Sequence, residues 1–584
     1  LHLLSLSSAL ALAACRPAIT PTSVPAPMAA PDRIERLLDS LPLADRIAQL
    51  VMPWVAGGYA AADDPAFVRA ERWVDSLHVG GVIVSIGPPT ELAAKLNRLQ
   101  QRARIPLLVA SDLESGTSFR LAGGTPFPPN MGVAAGGRDA DAYEIGRVTA
   151  LEGRAVGIHL AFAPVADVNS NPANPIINTR SFGEDPALVA RFVRAAVRGL
   201  EDHGMMATVK HFPGHGDTDV DSHLALPHLG ADWSRLDAVE LVPFRAAVAA
   251  GVTGVMSGHI ALPGIALPDR PATLAPSVLT GVLRDSLGFR GLTVTDAMNM
   301  AGVAGTFGAG EAAVLALEAG ADLLLQPADP AEVIAAVESA VRSGRLSEER
   351  IDRSARRILE LKQRAGLFQR RYVTLDRVAD VVGRRPFLDS ARAIAARSVV
   401  LVRDGGVLDS LRARARTVAV VSFADDVTSP AGTTLAAELR RGGHTVTLLR
   451  LWPASGPASY DSARNALARA EVGIVAAAVR FAAGRGTLGM PQALADLLQG
   501  AGPRTALVAL GSPYLLLQAP NVSTYLLGWA ANEISEAAVA QALLGAAPIT
   551  GRLPVSLPPY HPAGHGIDKP AKAGPAHRPT TGRE

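Results

Sequence analysis

The sequence predicts an α/β protein of two domains, a (β/α)8 TIM-like barrel followed by a smaller αβα sandwich. Three observations carry this. The chain has 584 residues, too many for one hydrophobic core. Eight short apolar runs recur between residues 32 and 370, with helical patterns between most of them, and repeated strand-helix units argue for a parallel sheet. Polar residues gather where the runs end: Asp112, Asp167, Lys210, His211, His259 and Asp296. Barrel enzymes place their chemistry at such strand ends. A doubly wound open sheet is the rival arrangement.

At the start of the chain, residues 3–14 are apolar and lead into Cys15, the only cysteine, so no internal disulfide can form. Leu12-Ala13-Ala14-Cys15 resembles a bacterial lipoprotein signal, in which cleavage before Cys15 leaves that residue lipid-modified. The stretch lacks the Lys/Arg n-region of a signal peptide, and a secretory h-region with an incidental Cys is the plain alternative. Residues 16–31, rich in Pro, Ala and Thr, read as an extended tether. Residues 1–31 are therefore expected to anchor the protein in the cell envelope, held to a membrane by lipid. Arg16 after Cys15 leans toward the outer membrane of a two-membrane bacterium. No other apolar run is long enough to span a bilayer.

The barrel is expected over 32–370, with strands at 49–52, 82–86, 107–110, 160–164, 206–210, 254–257, 292–295 and 322–325. Helices are expected at 141–156, 186–203 and 236–250, and residues 332–368 read as helices that close the domain. A linker at 371–390 leads to the sandwich, 391–560, with strands near 398–402, 418–422, 445–449, 473–477, 506–510 and 523–527. Residues 561–584 have the composition of a disordered tail. The net charge is +2, no Lys/Arg run of the kind that tracks phosphates is present and aromatics are 4%, so nucleic acid is not an expected partner.

The densest polar stretch follows the fifth barrel strand. Lys210-His211-Phe212-Pro213-Gly214-His215-Gly216-Asp217-Thr218-Asp219-Val220-Asp221-Ser222-His223 gathers a cation, imidazoles and carboxylates around two glycines and a proline. Unpaired buried charge is costly, so this is a poor core and a good active-site loop. Within it, Asp221 and His223 can hydrogen-bond, which fixes an imidazole's tautomer for proton transfer; a chance pair on a surface turn is the plain reading. The loop matches no zinc spacing, because Pro213 and Gly214 oppose a helix between His211 and His215. No metal or cofactor is called for. Asp296, at the end of Leu292-Thr293-Val294-Thr295, could be a nucleophile, a metal ligand, a general base or a helix N-cap. Lys210 and Arg180 can donate to hydroxyls or form structural ion pairs. Asp112 can accept from two hydroxyls or join an interdomain salt bridge, and Asp167 reads as a holder of loop amides. Gly484-Arg485-Gly486 is a weak glycine cluster with no strand placed to make it a phosphate loop.

Together these segments resemble glycoside hydrolase family 3, of the β-N-acetylglucosaminidase type. The loop from Lys210 to Thr218 with Asp221-Ser222-His223 is similar to that group's fingerprint, and Thr295-Asp296-Ala297-Met298 to its nucleophile segment. Asn178-Thr179-Arg180-Ser181-Phe182-Gly183 and 162–168 resemble further hallmark segments, and Gly551-Arg552-Leu553-Pro554-Val555 resembles a late segment of the second domain. The resemblance implies Asp296 as nucleophile and His223, assisted by Asp221, as acid/base. It implies Asp112, Arg180, Lys210 and His211 as holders of the non-reducing sugar. It further implies release of terminal β-linked N-acetylglucosamine with retention, which ordinarily uses two carboxylates about 5–5.5 Å apart; here imidazole stands for one of them.

Two segments depart from the family. Asp112-Leu113-Glu114-Ser115-Gly116-Thr117 keeps Asp112 but lacks a neighbouring Arg and a Gly. Ile158-His159-Leu160-Ala161-Phe162-Ala163-Pro164 lacks two Asn. Both bear on substrate preference and leave the nucleophile and dyad intact. Rival readings are a β-glucosidase or a phosphorylase on this fold, and a sugar-binding lipoprotein without catalysis.

Overall fold

The computed structural model describes residues 33–413, 415–480, 484 and 488–572. Cys15 and the tether lie outside the described residues. No helix among the described residues is long and apolar enough to cross a membrane.

The first domain is a closed parallel barrel. Its strands are β1 (Val51–Met52), β2 (Trp54–Ala56), β3 (Gly81–Ser85), β4 (Leu108–Ser111), β5 (Leu160–Ala161), β6 (Met206–Phe212), β7 (Gly254–Ser257), β8 (Leu292–Val294) and β9 (Leu324–Leu325). β2 to β8 pair in sequence order, every pair parallel. β9 pairs with β1, and Leu323 bridges to Val294 of β8, which closes the ring. The sequence leads to eight strands, and the ninth arises at Pro53. That residue has no N–H to give the ladder, so the first strand is split into β1 and β2. Nearly every strand position is buried, as in a sheet covered on both faces. Helices Asp139–Ala155, Pro186–Glu201 and Glu348–Arg364 are among those of the outer ring. The helix expected over 236–250 is two, Trp233–Ala238 and Leu241–Ala249.

The second domain carries one six-stranded sheet: β10 (Val400–Arg403), β11 (Thr417–Ala424), β12 (Thr445–Leu451), β13 (Val472–Ala478), β14 (Thr505–Ala509) and β15 (Thr524–Leu527). The order is β10-β15-β14-β13-β11-β12, parallel except for β10 against β15. Helices such as Thr433–Arg441 and Pro457–Arg469 alternate with its strands, giving the sandwich.

Two sequence expectations are corrected. The end of the linker is helical: Arg385–Ser398 carries Pro386 in its first turn, where φ is pre-set and no N–H is needed. Residues 561–572 are not a disordered tail. Lys569 and Ile549 exchange two backbone hydrogen bonds, Ile567 N–H donates to Leu401 O, and Lys569 Nζ lies 2.7 Å from Asp404. Composition hid this, since pairing to an existing strand needs few apolar side chains.

The domains meet along polar and aromatic contacts. Arg397 forks onto Asp141 at 2.7 and 3.0 Å, Ser556 binds Glu184, and Tyr514 Oη accepts from Asn169 at 2.9 Å. The Trp529 ring lies where a side chain on Gly132 would sit, its nearest atom 2.7 Å from such a Cβ.

Candidate active site

The C-terminal ends of the barrel strands enclose a cavity of 210 Å³. It brings together Asp112, Arg180, Lys210, His211, His223 and Asp296. Asp221, itself buried, stands behind His223. The seven residues expected to act on a sugar thus converge from loops up to 184 positions apart.

One wall is a network of ion pairs. Lys210, near the end of β6, sets Nζ 2.7 Å from Asp112 and 2.8 Å from Glu114. Glu114 also receives the Arg180 fork at 2.8 and 2.9 Å, and Arg180 Nη2 reaches His211 Nε2 at 3.3 Å. Arg120 approaches the other Asp112 oxygen at 3.3 Å. Burial works against charge here, yet the paired cations hold both carboxyls down, Glu114 well below its ordinary range. Burial likewise opposes the Lys210 charge, and Asp112 and Glu114 overcome it and raise its pKa. Among the described residues Asp112 forms no interdomain salt bridge; its partners there, Lys210 and Arg120, belong to the barrel. Arg180 and Lys210 combine both expected roles, fixed by ion pairs and facing the cavity.

Asp167 organises the loop after β6 from below. Its Oδ1 accepts the backbone N–H of His211 at 3.1 Å and of His215 at 2.7 Å, and Oδ2 lies 2.7 Å from His211 Nδ1. The loop rests on the chain beyond Asp167 so closely that a Cβ on Gly216 would fall 1.8 Å from Val168 O. Only glycine permits that approach. His215 is wedged between Thr218 Oγ1 at 2.6 Å and Ser222 Oγ at 3.1 Å. Burial, then the neighbouring His211, pulls its pKa down to about 4.

The loop ends in the dyad. Asp221 Oδ1 accepts the His223 backbone N–H at 2.9 Å and lies 2.8 Å from His223 Nδ1. Its Oδ2 accepts the N–H of Gly484, from the second domain, at 2.9 Å. Burial opposes ionisation of Asp221, and these donors reverse the effect and lower its pKa. An ionised Asp221 only accepts, so His223 Nδ1 carries the hydrogen and Nε2 becomes the proton-exchanging atom.

Asp296 follows β8. It does not cap a helix: its Oδ1 accepts the N–H of the adjacent Ala297 at 2.8 Å, and the next helix begins only at Ala301. Burial would raise its pKa, but His211, His259 and the Ala297 N–H together hold it at about 2, so it is a carboxylate at any physiological pH. His259 Nε2 lies 3.0 Å from Ala297 O and steadies that segment.

Two participants, Glu114 and Arg120, were not singled out in the sequence. Glu114 was legible, two residues from Asp112, but nothing there says that it binds both Lys210 and Arg180. Arg120 gave no signal; the short turn Thr117–Phe119 swings it back to Asp112. The Gly484 contact depends on how the domains dock. Among the described residues, no group of three or more His, Cys, Asp or Glu is arranged to hold a metal ion.

Comparison with known proteins follows the same outline. The glycosyl hydrolase family 3 N-terminal domain matches residues 42–361. A β-N-acetylglucosaminidase/β-glucosidase of Cellulomonas fimi is 36% identical over 348 residues, 58% of this chain and 62% of that protein. β-Hexosaminidase A of Pseudoalteromonas piscicida is 35% identical over 305 residues, 48% of this chain and 50% of its own. The chain thus spans less than two thirds of either relative. The solved structure of a family 3 β-N-acetylglucosaminidase from Paenibacillus superposes with a TM-score of 0.80 at 34% identity, over 88% of this chain and 99% of that one. That match extends past the barrel into the sandwich. With a barrel mouth built from these residues and a family domain matched over most of the barrel, the chain belongs to glycosyl hydrolase family 3.

Proposed function

We propose that this protein is a retaining exo-β-N-acetylglucosaminidase acting on peptidoglycan fragments or chitooligosaccharides. The observation that carries the reading is the pairing, in one cavity, of the ionised Asp296 with the Asp221-oriented His223. Asp296 attacks the anomeric carbon and forms a glycosyl-aspartate as the glycosidic bond breaks, while His223 gives its Nε2 proton to the departing oxygen. His223 then takes a proton from water, which attacks the same carbon and releases Asp296. Lys210, Asp112, Arg180 and His211 hold the sugar hydroxyls. The cavity has room for roughly seven waters' worth of volume, about one sugar ring, which suits release of terminal residues. Both the curated relatives and the Paenibacillus neighbour bear names of the hexosaminidase class, which supports the same reading.

A second reading, β-glucoside cleavage, is favoured by the double name of the Cellulomonas relative. Phosphorolysis is the third, because a neutral imidazole repels an incoming phosphate less than a carboxylate does. One assay separates them: aryl β-N-acetylglucosaminide beside aryl β-glucoside, with and without phosphate, for wild type and His223→Ala. Cleavage of the N-acetyl sugar alone is expected, with steady-state turnover lost in the variant because hydrolysis of the glycosyl-aspartate needs His223 as base. A sugar-1-phosphate product would make the enzyme a phosphorylase, and a fluorosugar that leaves no adduct on Asp296 would remove the covalent step.

We also propose that Cys15 carries lipid and ties the enzyme to the cell envelope through residues 16–31. Cys15→Ser is expected to abolish incorporation of labelled palmitate and release the protein from membranes; unchanged labelling would end that idea.

A further inference from the structure

The opposite end of the barrel holds a second cavity of 430 Å³, larger than the one at the mouth. Arg290 precedes β8 and Asp322 precedes β9, whereas Asp296 follows β8, so the two cavities lie at opposite ends of the same strands. Its walls are the end of helix Ser277–Ser286, the turns leading into β8 and β9, and one face of helix Glu348–Arg364. These elements bring together five arginines: Arg284, Arg290, Arg350, Arg353 and Arg357.

Three carboxylates face the same space, Asp285, Glu318 and Asp322. Asp285 is exposed, and Glu318 is occupied by Arg345 at 2.7 Å. Only Asp322, 1% exposed, sits inside the cluster. Its Oδ2 accepts from Arg284 at 2.8 Å and from the Thr293 N–H at 3.0 Å. Its Oδ1 accepts from Arg357 and from Ser354, both at 2.6 Å, with Arg350 at 3.9 Å. One carboxylate with both oxygens engaged thus serves three guanidiniums. Burial lowers the pKa of Arg284 and of Arg350, Asp322 offsets part of this, and neighbouring arginines lower both again, so the arginines repel one another. Arg353 pairs with the exposed Glu349 at 3.5 Å, which leaves Arg284, Arg290, Arg350 and Arg357 around the one buried carboxylate; a cluster whose only task was to pin the helix to the strands would balance its charges, since uncompensated partly buried charge is costly.

We propose that this cavity is a second ligand site, which binds a multivalent phosphate-class oxyanion. Guanidinium forks match the spacing of such oxygens and are weakly hydrated, so they exchange water for the anion readily. The volume equals that of roughly fourteen waters, which admits inorganic pyrophosphate or an organic phosphate as well as orthophosphate. The proposal is independent of which glycoside the mouth cleaves.

Thermal denaturation of the full chain in sodium pyrophosphate or phosphate, against sodium chloride of equal ionic strength, tests it. Arg290→Gln/Arg353→Gln removes two rim cations that make no hydrogen bond to Asp322, and Asp285→Asn removes a competing rim anion. Pyrophosphate is expected to raise the wild-type Tm beyond the chloride control. The double variant loses that rise while its turnover of an aryl glycoside stays unchanged, and Asp285→Asn enlarges the rise. Should the double variant not fold, Asp285→Asn decides alone, since an unchanged rise there overturns the proposal. It is equally overturned if chloride matches pyrophosphate, if wild type shows no rise, or if the double variant keeps the rise, as binding at the mouth would produce.

Discussion

At His223, geometry fixes the direction of proton flow. Nδ1 is committed to Asp221, so in the mechanism we propose Nε2 delivers the proton to the leaving oxygen. His223→Ala is therefore expected to cut kcat/KM for poor leaving groups, such as a sugar, by roughly 10²–10⁴-fold. Nitrophenyl leaving groups, which depart without protonation, should lose far less in the first step; equal losses on both would place His223 outside acid catalysis. His215 makes a different prediction, about stability. Its pKa falls from 6.5 when unfolded to about 4 in the fold. Neutral His215 therefore costs nothing above pH 6.5, and stability is lost as pH drops toward 4, by about 3 kcal/mol in full. Urea midpoints between pH 7 and 4 should fall less steeply for His215→Asn than for wild type.

Elements matter at the mouth because each supplies one part of a shared network. β6 carries Lys210, the turn after β4 carries Asp112 and Glu114, and a separate loop carries Arg180. Glu114 joins all three segments while lining the same cavity as Asp296. Glu114→Gln would leave buried Lys210 and Arg180 undercompensated, at a cost of about 3 kcal/mol or more. A lower denaturation midpoint together with a higher KM is expected; a shift in neither would mean that Asp112 alone positions the cations. Glu114 and Arg120 escaped the sequence because an ion pair leaves no periodic trace. Strands did leave one: each of the eight expected barrel runs coincides with an observed strand, and only the Pro53 break was missed.

Across the whole molecule, closure of the barrel joins residues near its two ends. Lys362, on the last long helix, is fully buried and donates to Gln49, just before β1, at 2.6 Å. Burial, then Arg371, lowers its pKa to about 7. A cation so depressed destabilises the fold fully below about pH 7, and the penalty fades as pH rises toward its ordinary 10.5. Lys362→Met removes the penalty but strands the Gln49 amide oxygen, so a net gain of roughly 1–3 kcal/mol below pH 7 is expected. Thermal scans at pH 6 and 9 check it: the wild-type Tm should gain on the variant at the higher pH. Docking of the sandwich acts on the same scale, by placing the Gly484 N–H on Asp221 and Tyr514 on Asn169 beside the loop.

The sequence by itself determined the two-domain α/β architecture, the strands of both sheets and seven of the residues gathered at the mouth. Those features are written locally, in apolar periodicity, in glycines where backbones touch and in a loop too polar for a core. Tertiary structure alone decided which charges pair, how low Asp296 is held, that residues 561–572 join the sandwich, and that five arginines share one cavity. Those outcomes depend on distances between residues far apart in the chain, and electrostatic energy follows distance in space, which no spacing along a sequence encodes.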